Sequence, residues 1–167
     1  MCHIRDLYIG STEEKERSAR TCLEYTQRAI AVDEGDALAH TMLRFELTHT
    51  GRPELGVAES EKAWSIKPGD AFGCGVLAFA LLTSGRYVDS IAAYERALIL
   101  SPKDPWNHIR TGFSADGHLQ LVNLEQAADS AQKALLLFPS NLHANIVFAA
   151  SLGHLGRSDA GNAALLQ

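Results

Sequence analysis

Several kinds of protein are made improbable by what this chain of 167 residues has little of. Cysteine is scarce: Cys2, Cys22 and Cys74 are odd in number, far apart and free of any C-x-x-C spacing. That argues against a disulfide framework and points to a reducing, cytoplasmic setting. Base does not outweigh acid, for the formal net charge is −5. Nucleic acid is therefore not expected as the partner, because phosphate binding needs clustered Lys and Arg. The most apolar run, Ala71 to Leu82, is 12 residues, too short to span a bilayer as a helix. The N-terminal stretch has no apolar segment of signal-peptide length.

Motifs of chemistry are missing as well. None of the seven histidines makes H-x-x-x-H or H-E-x-x-H, so no helix face offers paired imidazoles to a metal. Neither a P-loop nor a G-x-S-x-G elbow is present, and Ser114, Asp116 and His118 are adjacent in sequence only, which does not define a triad. No catalytic residue, cofactor or metal is expected.

What is present is a period. The segments beginning Arg28-Ala29, Lys62-Ala63, Arg96-Ala97 and Lys133-Ala134 align at offsets of 34, 34 and 37 residues. Each continues through an apolar run. Pro68, Pro102 and Pro139 then share a column, and two residues on stand Asp36, Asp70, Asp104 and Asn141. Those four are natural N-caps, since their side-chain oxygens accept the unpaired N–H groups of a first helical turn. Pro105 suits the first helical position after Asp104. Gly51, Gly85 and Gly156, each followed by Arg, suit the left-handed turn at a helix end. The third unit carries three extra residues, placed within Ser114–Asn123, and has Leu119 where the hinge glycine would fall. Asn123 and Ser158 are expected to start second helices, and Ser11 with Glu14 to cap a long helix from about Thr12 to Val32.

A 34-residue helix–turn–helix unit with these columns resembles the tetratricopeptide repeat (TPR), over roughly residues 19–167. The resemblance extends to the repeat regions fused behind bacterial nucleotide cyclase domains or winged-helix regulators. It implies an all-α, right-handed solenoid of about four hairpins: residues 1–35 as an N-terminal segment and long helix, then 36–69, 70–103, 104–140 and 141–167. Its small-residue columns fall on Arg44, Ala78, Gly112 and Ala149, on Gly56, Ser90 and Ala127, and on Ala63, Ala97 and Ala134. Arg44 departs from that pattern.

The resemblance further implies a concave groove lined by one stripe of each first helix. Here the stripe holds Leu38, Met42, Phe45 and His49, then Phe72, Val76 and Phe79, then Trp106, Ile109, Arg110 and Phe113. It is too apolar for the family's carboxylate clamp, with Arg110 its one base. Large exposed apolar patches mark interaction sites. The implied function is a non-catalytic protein–protein interaction module that binds an apolar peptide or helix, as a regulatory region of a larger bacterial protein. Two other readings stay open for the stripe: packing of the aromatics on one another as core, and a small apolar ligand. The alternative function is homo-oligomerisation, through the groove or through Ala164, Leu165 and Leu166 at an uncapped last hairpin.

Overall fold

The computed structural model describes residues 12–157, and among them there are eight α-helices and no strand. They are α1 (Thr12–Val32), α2 (Ala37–His49), α3 (Pro53–Ile66), α4 (Ala71–Thr83), α5 (Tyr87–Leu100), α6 (Asn107–Gln120), α7 (Leu124–Leu137) and α8 (Leu142–His154). The expectations placed on Ser11, Ser158, Ala164, Leu165 and Leu166 lie outside the described residues, as does the side chain of His49. The chain divides into two compact units, one ending at Pro68 and one beginning at Gly69. In the first, α2 packs against α1 and α3; in the second, α4 pairs with α5 and α6 with α7, and α6 also meets α4 and α8.

Helix starts and stops follow the chemistry of the repeat columns. Asp36 accepts from the N–H groups of Leu38 and Ala39 at 2.9 and 3.1 Å, and Asp70 from Phe72 and Gly73 at 3.4 and 3.1 Å. Asn141 accepts from Ala144 at 3.1 Å while its amide donates to the carbonyl of His108 at 3.1 Å. An Asp there could not make that second bond, because a carboxylate has no donor. The hinges close the same way each time. Gly51, Gly85 and Gly156 have φ of 73, 81 and 73°, and the next residue, Arg52, Arg86 or Arg157, returns its N–H to the helix at 2.8–2.9 Å. The repeated Gly-Arg is thus one left-handed residue and the donor behind it.

The third hairpin corrects three expectations. Asp104 is not the N-cap: Pro105 and Trp106 form a turn first, and α6 begins at Asn107 without a side-chain cap. The left-handed hinge residue is Val122, with φ 60°, not a position near Leu119. Asn123 stands before α7 but makes no side-chain cap bond. Two of the three additional residues therefore lie in the Pro105–Trp106 turn, and α6 is one residue longer than α4, 14 against 13. Seven residues before the hinge, where the second hairpin has Ala78, the third has Ala115 rather than Gly112, and both alanines are fully buried.

Small residues let paired helices approach. Ala97, Ala127, Ala131 and Ala134 are wholly buried, as is Ser90, whose hydroxyl donates to the Ala78 carbonyl at 2.8 Å. Ala115, Ala131 and Val147 form the centre of one apolar cluster, with Leu119 and Phe148 packed on it. The first hairpin differs: His40, Arg44 and Glu46 are buried there. His40 Nδ1 meets Glu59 at 2.5 Å and Nε2 meets the Glu34 carbonyl at 3.2 Å, so one imidazole ties α2 to α3 and to the preceding loop.

Candidate interaction face

Phe113 is the centre of the most developed aromatic group in the second unit. It meets Phe79 of α4 edge-on at 4.9 Å between ring centroids, His143 of α8 at 4.6 Å, and Tyr94 of α5 at 6.4 Å. Edge-to-face and offset contacts at these spacings are the favourable ones for aromatic rings. Beside this group opens a cleft of about 370 Å³, lined by His108, Ile109, Phe113, Phe138, Leu142 and His143 among others. His108 and Phe138 form its outer wall, their rings 4.7 Å apart. Leu142 and Ile146 stand 72% and 52% exposed on α8, and Phe72 is half-exposed on α4. The cleft is thus concave, mostly apolar and flanked by uncovered aliphatic side chains.

Polar groups are few and positioned. Asp116 accepts from the Gln120 amide at 3.2 Å and lies 3.6 Å from His143 Nε2. His118 faces inward at the end of α6, and burial lowers its pKa against the opposing pull of Glu95. Burial raises the Cys74 thiol, which donates to the Ala93 carbonyl, so it is not poised as a nucleophile. No group of His, Cys, Asp and Glu that could hold a metal occurs among the described residues. No described helix is long and apolar enough to cross a membrane.

The stripe read from the sequence is distributed unevenly. Phe72, Phe79, Ile109 and Phe113 lie in the second unit with side chains partly or half exposed, and Trp106 is 63% exposed on the turn before α6. Val76 and Arg110 are buried, a revision of the expectation that they face a groove. Arg110 turns inward because the Pro105–Trp106 turn offers it partners: Asp104 at 2.7 Å and the Asn107 side chain at 2.7 Å. Gly75 leaves it room, for a Cβ there would stand 3.1 Å from Arg110 Nε. The Trp106 backbone N–H and Arg110 together hold the Asp104 carboxyl below its usual pKa. In the first unit Leu38 is 60% exposed, Met42 and Phe45 are half-buried, and the Arg44 guanidinium lies 3.5 Å from the Phe45 ring centroid. A cleft of about 300 Å³ between α1 and α2 has Tyr25, Leu38 and Met42 in its lining.

His108, Phe138 and Leu142 were not singled out by the stripe. The signal for Phe138 was in the sequence: Leu135-Leu136-Leu137-Phe138 supplies more apolar side chains than one helix stripe can bury, and Leu136, Leu137 and Phe138 are 80, 61 and 46% exposed.

No family model and no curated protein matches the sequence. Solved structures do match the fold. A crystal structure of MamA shares 13% identity at a TM-score of 0.77, covering 94% of this chain and 90% of that one. MamA 41-end from Desulfovibrio magneticus RS-1 shares 17% at 0.75, covering 91% and 84%. The crystal structure of PilW, a widely conserved type IV pilus biogenesis factor, shares 19% at 0.81, covering 90% and 70%. The fold of this chain is all-α and of the TPR-type helical-repeat kind.

Proposed function

We propose that this chain is a non-catalytic protein–protein interaction module, and that its second unit holds an apolar segment of a partner protein in the cleft beside Phe113. The observation that carries this reading is the 370 Å³ cleft itself, walled by aromatic rings and bordered by exposed Leu142 and Ile146. Burying one Leu or Phe there is worth about 1.5–3 kcal/mol. Four or five such anchors, the cleft's together with the exposed aliphatic side chains beside it, would supply most of the free energy of a micromolar complex, about 8 kcal/mol. The reading extends to a docking region serving a larger bacterial protein in a cytoplasmic setting, with which the buried Cys22 and Cys74, neither of them in a disulfide, agree.

Photo-crosslinking in the source cell tests it. A benzophenone side chain at Ile109 or Leu142 is expected to give adducts with another polypeptide, and one at exposed Asp129 is not. Phe113→Asp should abolish the adducts while the helical circular dichroism is kept. Adducts between two copies of this chain would assign the cleft to self-association instead. No adduct at either position, or equal yields at Asp129, overturns the reading.

A further inference from the structure

A second concavity lies at the loop end of the same unit. It measures about 470 Å³, and its lining includes Leu98, Pro102, Lys103, Pro105, His108 and Leu137. Its apolar part comes from the last turns of α5 and α7, and the exposed aliphatic surface continues past it, since Ile99 and Leu136 are 79% and 80% exposed. Exposed apolar surface of this kind beside a concavity marks an interaction site more often than idle surface.

Charge distinguishes this concavity from the cleft beside Phe113. Lys103 lines it and Lys133 stands one turn before Leu137 on the same face of α7. Neither lysine takes part in an ion pair or hydrogen bond among the described residues. Asp104, the carboxylate of the lining, is already neutralised by Arg110 at 2.7 Å. Asp129, one turn before Lys133, is solvent-exposed and makes no ion pair with it. Lys103 in the lining and Lys133 one turn from Leu137 thus accompany a hollow whose apolar half is Leu98, Pro102, Pro105 and Leu137 and whose own carboxylate is taken.

We propose that this loop-end hollow docks a second protein segment, one in which bulky aliphatic or aromatic residues are flanked by Asp or Glu. The aliphatic side chain enters between Leu98 and Leu137, and the carboxylates reach Lys103 and Lys133. Such complementarity sets specificity and speeds encounter more than it adds affinity. A concavity of about 470 Å³ has room for a side chain, which a bilayer surface does not supply, so a protein segment is favoured over an anionic membrane. The two hollows share His108 as a wall, but Leu98, Lys103 and Leu137 line only this one and Phe113 and Leu142 only the other, so variants at those residues separate them.

The test is selection of random peptides displayed on phage against the full chain. Enriched sequences are expected to combine Leu, Ile or Phe with Asp or Glu. Against Leu137→Asp these sequences should be lost, with Leu137→Ala as a milder second variant; at 61% exposure neither change should disturb folding. Charge reversal in Lys103→Glu/Lys133→Glu should weaken a selected peptide about tenfold, two surface ion pairs being worth about 0.2–1 kcal/mol each and reversal adding repulsion. Phe113→Asp should leave it bound, which separates this site from the neighbouring cleft. Selection of basic or uncharged peptides, persistence in Leu137→Asp, or no enrichment overturns the proposal. So does binding to phosphatidylserine vesicles that is lost with the lysines while no peptide is selected.

Discussion

The first hairpin, α2 with α3, and the second, α4 with α5, solve one packing problem in opposite ways. At three equivalent positions the first has Arg44, Gly56 and Ser60, and the second has Ala78, Ser90 and Tyr94. The large member comes from the first helix in one case and from the second helix in the other. Both large side chains are fully buried, Arg44 and Tyr94 at 1% exposure each. Gly56 lies against the same helix: a Cβ there would crowd Thr48 Oγ1 at 2.9 Å and would touch Arg44 Cγ at an ordinary 3.6 Å. The lesson is that the repeat conserves the volume between two helices, not the residue at a column. The third hairpin shows the limit, with Ala115, Ala127 and Ala131 all wholly buried at those positions and Leu119 and Phe148 filling in from the side.

The sharpest test transplants one solution into the other. Arg44→Ala should cost about 2–4 kcal/mol, in the range of a large-to-small core change. Ser60→Tyr alone should overpack the same space by about 1–3 kcal/mol. The double variant should recover much of both losses, giving a coupling energy of about 1–3 kcal/mol in urea unfolding. Additive losses would show that Arg44 is held for its charge and not for its volume. In that event Arg44→Met, which keeps the bulk, would be as damaging as Arg44→Ala.

The second comparison is between the lead-ins to α4 and α6. Asp70 caps its helix directly, whereas Asp104 binds the Trp106 N–H at 2.9 Å and the Arg110 guanidinium at 2.7 Å. Asp104→Asn leaves Arg110 buried without its counter-charge and should cost about 2 kcal/mol, less than a fully buried pair because Asp104 is partly exposed. The folded chain holds this carboxyl below its unfolded pKa. Its contribution is therefore complete above the unfolded value, about pH 4, and is lost as pH falls through the folded value. The gap between wild type and Asp104→Asn should be constant at neutral pH and narrow in acid, as read by thermal unfolding across pH. A gap that widens in acid would contradict the arrangement.

These contrasts also mark how far the residues alone could lead. Asp36, Asp70 and Asn141, the Gly-Arg hinges and the buried Ala63, Ala97 and Ala134 are local signals, each tied to one turn or one close approach. They could be read directly, and the helix Thr12–Val32 was legible from its pattern. The third hairpin was misregistered because the reading counted forward from Asp104. Pro105 and Trp106 had absorbed two residues before the helix began, so Arg110 was placed on the wrong side of its helix; Val76 lies in a hairpin whose register was right, and it is simply covered by its neighbours. Arg44 looked like a flaw in its column because the small residues that compensate it lie on another helix, 12 and 16 positions on. The cleft beside Phe113 is assembled from α6, α8, the end of α7 and the loop between α7 and α8, and no single stripe contains it.

The smallest expected effect compares the hinges. Gly85 has φ 81° and Val122 has φ 60°, both in the left-handed region. A β-branched residue there costs about 1–2 kcal/mol, and glycine gives back part of that gain through its looser unfolded chain. Val122 is 73% exposed, so its side chain contributes little packing that a glycine would forfeit. Val122→Gly should therefore stabilise the chain by about 0.5–1 kcal/mol, and Gly85→Val should destabilise it by a similar or slightly larger amount. Urea midpoints measured on the two variants decide the matter. A loss of stability in Val122→Gly would mean that the valine holds the third hairpin through a contact that outweighs its strained backbone, and the equivalence of the two hinges would then be one of geometry without one of energy.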